Sequence, residues 1–170
     1  MRINKFIFQD FNDNIVNYNY LKSIPFCTFS DNPSQDYNLI KEVLEGIGYD
    51  INKLVSIGKK VAPYGVSINP SEIEDKNQLL NSCQFSLVFG YSLKDSEYLI
   101  TSVLAGIIPI CNNQHPFIKQ MGLKYFSTSI NKTNILDLLR KHMYYQHIVM
   151  NKIYWLSWNY HNQIQKWKNK

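Results

Sequence analysis

Apolar residues follow two alternating patterns along this chain. Short continuous runs occur at Pro25-Phe26-Cys27-Thr28-Phe29, Leu54-Val55-Ser56-Ile57, Phe85-Ser86-Leu87-Val88-Phe89 and Ile107-Ile108-Pro109-Ile110-Cys111. Their length and their β-branched and aromatic content are those of strands buried on both faces. Between them apolar residues recur at helical spacing, at Leu39, Ile40, Val43, Leu44 and Ile47 and again at Leu99, Ile100, Val103 and Leu104. The punctuation agrees: Asn32 is placed to cap the first of these helices, with Pro33 in its first turn and Gly46 after its last. Lys76 to Ser82 reads as a short helix, and Ser96 to Leu104 as an inward-facing helix ended by Gly106. His115-Pro116 opens another short helix, Tyr125-Phe126 reads as a last strand, and the chain is helical from Asn131. Strands of this kind alternating with amphipathic helices predict an α/β protein: a single Rossmann-like, doubly wound parallel sheet with a C-terminal helical tail. The expected division is an N-terminal extension over 1–22, the sheet-bearing core over 23–133 and the tail over 134–170.

Composition narrows the class. A chain of 170 residues buries roughly 70% of its unfolded surface around one core. With 45% hydrophobic and 18% charged residues it is neither disordered nor a charged coiled coil. No apolar run approaches the roughly 20 residues of a membrane span. Asp10 interrupts the first apolar stretch, so no signal peptide is expected. Three scattered cysteines, Cys27, Cys83 and Cys111, suit neither a disulfide framework nor a zinc site; a reducing, cytoplasmic location is expected.

The net charge of +5 invites a nucleic-acid reading, but Arg2 and Arg140 are the only arginines, and base readers depend on arginine forks. No nucleic-acid partner is expected. Five lysines and no acid lie between Lys141 and Lys170, so the charge belongs mostly to the tail. Tyr144, Tyr145, Tyr154, Trp155, Trp158, Tyr160 and Trp167 interleave with them. For 152–170 this pattern predicts contact with a membrane surface or an acidic partner, against simple packing on the sheet.

Two loops at expected strand ends face the place where an open α/β sheet binds ligands: Ser30-Asp31-Asn32-Pro33-Ser34-Gln35, and Gly90-Tyr91-Ser92-Leu93-Lys94-Asp95-Ser96-Glu97. Gly90 lets backbone approach a ligand. Glu97 starts a helix, where a carboxylate either complements the helix dipole or accepts hydrogen bonds from a ribose diol. There is no GxGxxG and no Walker loop. His115, His142, His147 and His161 lack partners at metal-ligand spacing and read as surface or tail residues; no metal is expected.

The run Asn77-Gln78-Leu79-Leu80-Asn81-Ser82-Cys83-Gln84-Phe85-Ser86-Leu87-Val88-Phe89-Gly90-Tyr91-Ser92 resembles the α1,3-fucosyltransferase-like glycosyltransferases. In that family a helix and strand lead to a Phe-Glu-Asn-Ser loop and a Thr-Glu-Lys helix start. Ser96-Glu97-Tyr98 falls at the latter, and Gly106-Ile107-Ile108-Pro109-Ile110 resembles the next strand. The likeness extends weakly from residue 24 to 160. It implies the C-terminal, nucleotide-sugar-binding half of a two-lobed glycosyltransferase. The donor would be a nucleotide sugar, most simply a GDP-sugar, with no other cofactor. The acceptor would be a glycan, and a second chain would supply the N-terminal half.

The resemblance also assigns roles. Glu97 would hold the ribose, Gly90, Tyr91 and Ser92 would approach the sugar or phosphate, the helix start after Asn32 would face the diphosphate with Lys41 one turn on, and Asn38 and Tyr98 would complete the nucleotide-sugar-binding set. The chain departs from the family at Gly90, which replaces a glutamate, at Tyr98, which replaces a lysine, and at Tyr37, which replaces an arginine. Two readings follow: a donor-binding half for sugar transfer, or a non-catalytic binding or scaffold module on the same fold.

Overall fold

The computed structural model describes residues 22–31 and 35–169. Six strands, β1 (Ile24–Phe29), β2 (Val55–Ile57), β3 (Val66–Ile68), β4 (Cys83–Val88), β5 (Ile108–Asn112) and β6 (Ser127–Thr128), form one sheet in the order β3-β2-β1-β4-β5-β6. Every neighbouring pair is parallel. The helices are α1 (Tyr37–Gly46), α2 (Lys76–Ser82), α3 (Leu93–Leu104), α4 (Ile118–Met121), α5 (Lys132–Tyr144) and α6 (Gln146–Lys168). The α/β, doubly wound Rossmann-like architecture with a helical tail is therefore present.

The register sorts side chains onto two faces. Phe26 lies opposite Phe85 and Cys27 opposite Ser86, so alternate residues serve opposite layers. On one face Phe26 meets the Tyr49 ring edge-on at 4.8 Å. The same layer joins α1 to α5, where Arg140 Nη2 donates to the Gly46 carbonyl at 3.2 Å. On the other face the Ser86 and Ser102 hydroxyls pair at 2.8 Å, satisfying two polar groups inside the core. There α6 lies along α3, and Ser157 Oγ donates to the Leu104 carbonyl at 3.2 Å.

Several boundaries differ from expectation. The first helix begins at Tyr37, not near Asn32, because the Asp36 carboxylate accepts from Leu39 N–H at 3.0 Å and caps it there; Asn32 and Pro33 lie outside the described residues. Helix α3 starts one turn early, at Leu93, because Ser92 caps it. Tyr125 and Phe126 form a 3-10 turn, with Phe126 N–H donating to the Leu123 carbonyl at 2.9 Å, and the strand is displaced to Ser127–Thr128. Strand β3 was not expected: it has the same Val-Ser-Ile sequence as β2 but is a short, partly exposed edge. It follows Gly65, whose φ of 74° and 2.2 Å clearance from the Leu54 carbonyl oxygen admit no side chain.

The histidine expectation needs correction. His147 is exposed, but His115 and His142 are buried, and His161 is half-buried with Nε2 3.3 Å from the Leu104 carbonyl. His142 lies against the rings of Tyr125 at 5.0 Å and Phe126 at 5.6 Å. Neither ring nitrogen reaches a partner at hydrogen-bond geometry, although the Tyr125 carbonyl acts weakly on the ring. Burial, reinforced by the Lys141 charge, lowers its pKa to about 4.

A histidine kept neutral in the folded state but protonated in the unfolded chain below its ordinary value of 6.5 costs stability as pH falls. Its contribution is intact above that value and is lost progressively between about 6.5 and 4. Urea unfolding at pH 7 and pH 5 should show a fall in stability, of which His142 accounts for about 2 kcal/mol. That part should vanish in His142→Leu.

Candidate functional site

From β1 the sheet grows outward through β2 to β3 on one side and through β4 and β5 to β6 on the other. The loops after β1 and β4 therefore leave in opposite directions and open a crevice over their carboxyl ends, the place where folds of this order receive ligands.

The β1 side is stitched to β2. Ser30 N–H donates to the Ile57 carbonyl at 2.9 Å, and the Asp31 carboxylate accepts from Lys59 N–H at 2.6 Å. Gly58 passes beneath: a Cβ there would stand 2.5 Å from Ser30 Oγ and 2.8 Å from Asp31 Oδ1.

The β4 side is organised around Asp95. Ser92 Oγ accepts from Asp95 N–H at 3.3 Å, while Asp95 Oδ2 accepts from Ser92 N–H at 2.9 Å and from Ser92 Oγ at 2.7 Å. This reciprocal capping box seats a fully buried carboxylate on the N-terminus of α3. A Cβ on Gly90 would lie 2.1 Å from Asp95 Oδ2. The open side of Gly90, expected to admit a ligand, is filled by the chain's own carboxylate. His115 braces the same turn. Its Nδ1 accepts from Phe117 N–H at 3.1 Å, which leaves the proton on Nε2, 2.9 Å from Ser96 Oγ and 3.2 Å from the Ser92 carbonyl. Burial lowers the pKa of His115, outweighing the Ser92 carbonyl and the Asp95 charge.

Between the two loops, the seam is crossed on both faces. Thr28 Oγ1 donates to the Leu87 carbonyl at 2.9 Å, and Gln35 Nε2 reaches both that carbonyl, at 3.3 Å, and Thr28 Oγ1. On the other face the Tyr98 ring stacks flat on Phe29, 4.6 Å between centroids. Tyr98 Oη and Ser30 Oγ are buried and have no hydrogen-bond partner, as is Ser56 Oγ one strand over. An unpaired buried hydroxyl costs about 1–3 kcal/mol, so these groups are poised to accept one. Burial raises the Tyr98 pKa above its ordinary value, and the Asp31, Asp95 and Glu97 charges raise it further. Those three carboxylates thus share the neighbourhood of one neutral phenol.

The residues expected to form the site are dispersed. Glu97 is on the exposed side of α3, its carboxylate 2.9 Å from Lys94 Nζ. Tyr91 is exposed, and Ser92 is engaged in the cap. Tyr98 is at the crevice. Asn38 is exposed on α1. Lys41 lies 3.9 Å from Glu45 and 4.9 Å from the centre of the Tyr64 ring. Asp95, Gln35 and Ser30 were missed. The readable signal for Asp95 is Ser92 followed three residues later by an acid.

Comparison of the chain with known protein families, curated proteins and solved structures finds no match. Among the described residues no group of histidine, cysteine and carboxylate side chains has the makings of a metal site. The chemistry available at the crevice is that of hydroxyls, an aromatic face and carboxylates, which suits a neutral polyol better than an unaccompanied phosphate.

Gly90→Ala should lower unfolding stability by about 1–2 kcal/mol, the value of a helix N-cap that must be pushed aside. In an Asp95→Ala background the same change should cost almost nothing. A double-mutant cycle by chemical denaturation measures that coupling.

Proposed function

We propose that this chain is a donor-binding half of the fucosyltransferase-like type, which holds the nucleoside or sugar portion of a nucleotide sugar in the β1–β4 crevice and does not transfer sugar by itself. The observation that carries this reading is the pair of unpartnered buried hydroxyls, Tyr98 Oη and Ser30 Oγ, at the switch point of a β3-β2-β1-β4-β5-β6 sheet. Ribose and sugar hydroxyls both donate and accept, so they complete such groups, and the Asp31 carboxylate beside Ser30 accepts from a diol.

Diphosphate recognition is disfavoured. An aspartate already sits at the N-terminus of each helix, Asp36 as the cap of α1 and Asp95 in the first turn of α3, and Lys94 is paired with Glu97. Transfer to a glycan acceptor would require an opposing wall and a base, supplied by a second chain or lobe, because positioning is a large part of such catalysis.

The scaffold reading retains one specific support: Gln35, Asp95 and the Phe29–Tyr98 stack occupy much of the seam with the chain's own atoms.

Calorimetry with GDP-, UDP- and ADP-sugars, set beside the free nucleosides and sugars, separates the readings. The donor-half reading expects binding of at least one nucleotide sugar, with the corresponding nucleoside or sugar keeping most of the affinity. Absence of any binding favours the scaffold. Tyr98→Phe should act in opposite directions on the two observables: it should raise the stability of the ligand-free protein by about 1 kcal/mol and weaken binding by a similar amount.

A further inference from the structure

Helix α6 buries Val149, Ile153, Leu156, Tyr160 and Ile164 against the sheet and α3, yet its opposite face sets large apolar side chains among polar ones such as Asn151 and Lys152. Ile148, Trp155 and Trp158 are 52%, 60% and 58% exposed, and Tyr144 and Tyr145 stand exposed in the turn that precedes them. The helical repeat gathers Ile148, Lys152, Trp155, Trp158 and Lys166 along one side. Beside this stripe, between α6 and the 3-10 turn before β6, lies a cavity of about 520 Å³ lined by Tyr125, Phe126, Ile148, Lys152, Trp155 and Leu156. It opens at the amino end of the sheet's edge, remote from the switch-point crevice. Lys152 Nζ and Lys141 Nζ lie 4.7 Å and 5.9 Å from the centre of the Tyr125 ring, holding positive charge over the cavity wall. No acidic residue occurs from 138 to 170.

We propose that this face docks on an anionic lipid surface. The sign of the charge selects a negative partner, because Arg140, Lys141, Lys152 and Lys166 lie in a stretch of chain that holds no acidic residue after Asp137. Exposed tryptophans among lysines belong at a headgroup boundary, where the indole stays half wet and the ammonium reaches phosphate. The core of a protein–protein interface, in contrast, is depleted of lysine. No helix among the described residues is long and apolar enough to cross a membrane, so α6 lies on the surface, its buried side still packed on α3. This contact is independent of what the crevice binds.

All three tryptophans, Trp155, Trp158 and Trp167, are on α6, so intrinsic fluorescence reports on this helix alone. The full chain should float with phosphatidylcholine vesicles that contain phosphatidylserine, show blue-shifted tryptophan emission on them, and come off in high salt; it should stay behind with pure phosphatidylcholine. Lys152→Glu/Lys166→Glu should lower the partition coefficient by at least about fivefold per lysine. Trp155→Ser/Trp158→Ser should lower it comparably, and circular dichroism should be unchanged in both. The proposal is overturned if the wild-type chain does not float with phosphatidylserine vesicles, or if both folded variants float as it does. It is equally overturned if light scattering finds a dimer that the tryptophan variant dissociates while vesicle binding is absent, which would assign the face to a second copy.

Discussion

The crest of this fold depends on one buried carboxylate. Helix α3 points N–H groups out of the sheet at the switch point, and in nucleotide-binding proteins of this architecture that terminus is where phosphate sits. Here Asp95 occupies the position from within, held by the backbone and hydroxyl of Ser92. Gly90 must be bare to admit it. Once α3 is started at Leu93, its register places Tyr98 on Phe29, Ser102 on Ser86 and Ser96 against His115. The same contact thus sets the helix start, the aromatic floor of the crevice and the packing of a core histidine.

The substitution of an internal anion for an external one changes what the crevice can select. An aspartate carried by the chain repels a second anion at close range, and the partly desolvated setting strengthens that repulsion. What is left uncommitted is neutral: the hydroxyls of Tyr98 and Ser30 beside a flat aromatic pair. Positive charge lies toward the opposite end of the sheet, where Lys141 and Lys152 flank the Tyr125 ring and Trp155 and Trp158 stand exposed on α6. The two ends of one parallel sheet therefore differ in chemical character, neutral hydroxyls at one and cations with exposed indoles at the other.

Most of the architecture was legible in the pattern of residues because strands buried on both faces read as continuous apolar runs, and helices with one buried side keep a 3.6 period. The failures occurred where that signal is absent. Val66–Ile68 is a three-residue edge, too short for its Val-Ser-Ile to stand out as a buried run, and Tyr125-Phe126 is apolar enough for a strand but bends through a 3-10 hydrogen bond. Glu97 and Asp95 stand two residues apart at the same helix start. Spacing alone does not say which carboxylate turns inward; the contact with Gly90, closed only in three dimensions, decides for Asp95. His115 and His142 were misread for a related reason, since a histidine is hidden by neighbours distant in sequence.

The central claim, that Asp95 takes the place of a bound phosphate and leaves the crevice to neutral ligands, is tested most directly by amide NMR during titration with inorganic pyrophosphate. In the wild-type chain the amides from Gly90 to Ser96 should not shift, whereas Asp95→Asn, which keeps the shape and removes the charge, should show saturable shifts at Ser92 and Leu93. Saturable shifts of those amides in the wild-type chain would contradict the account.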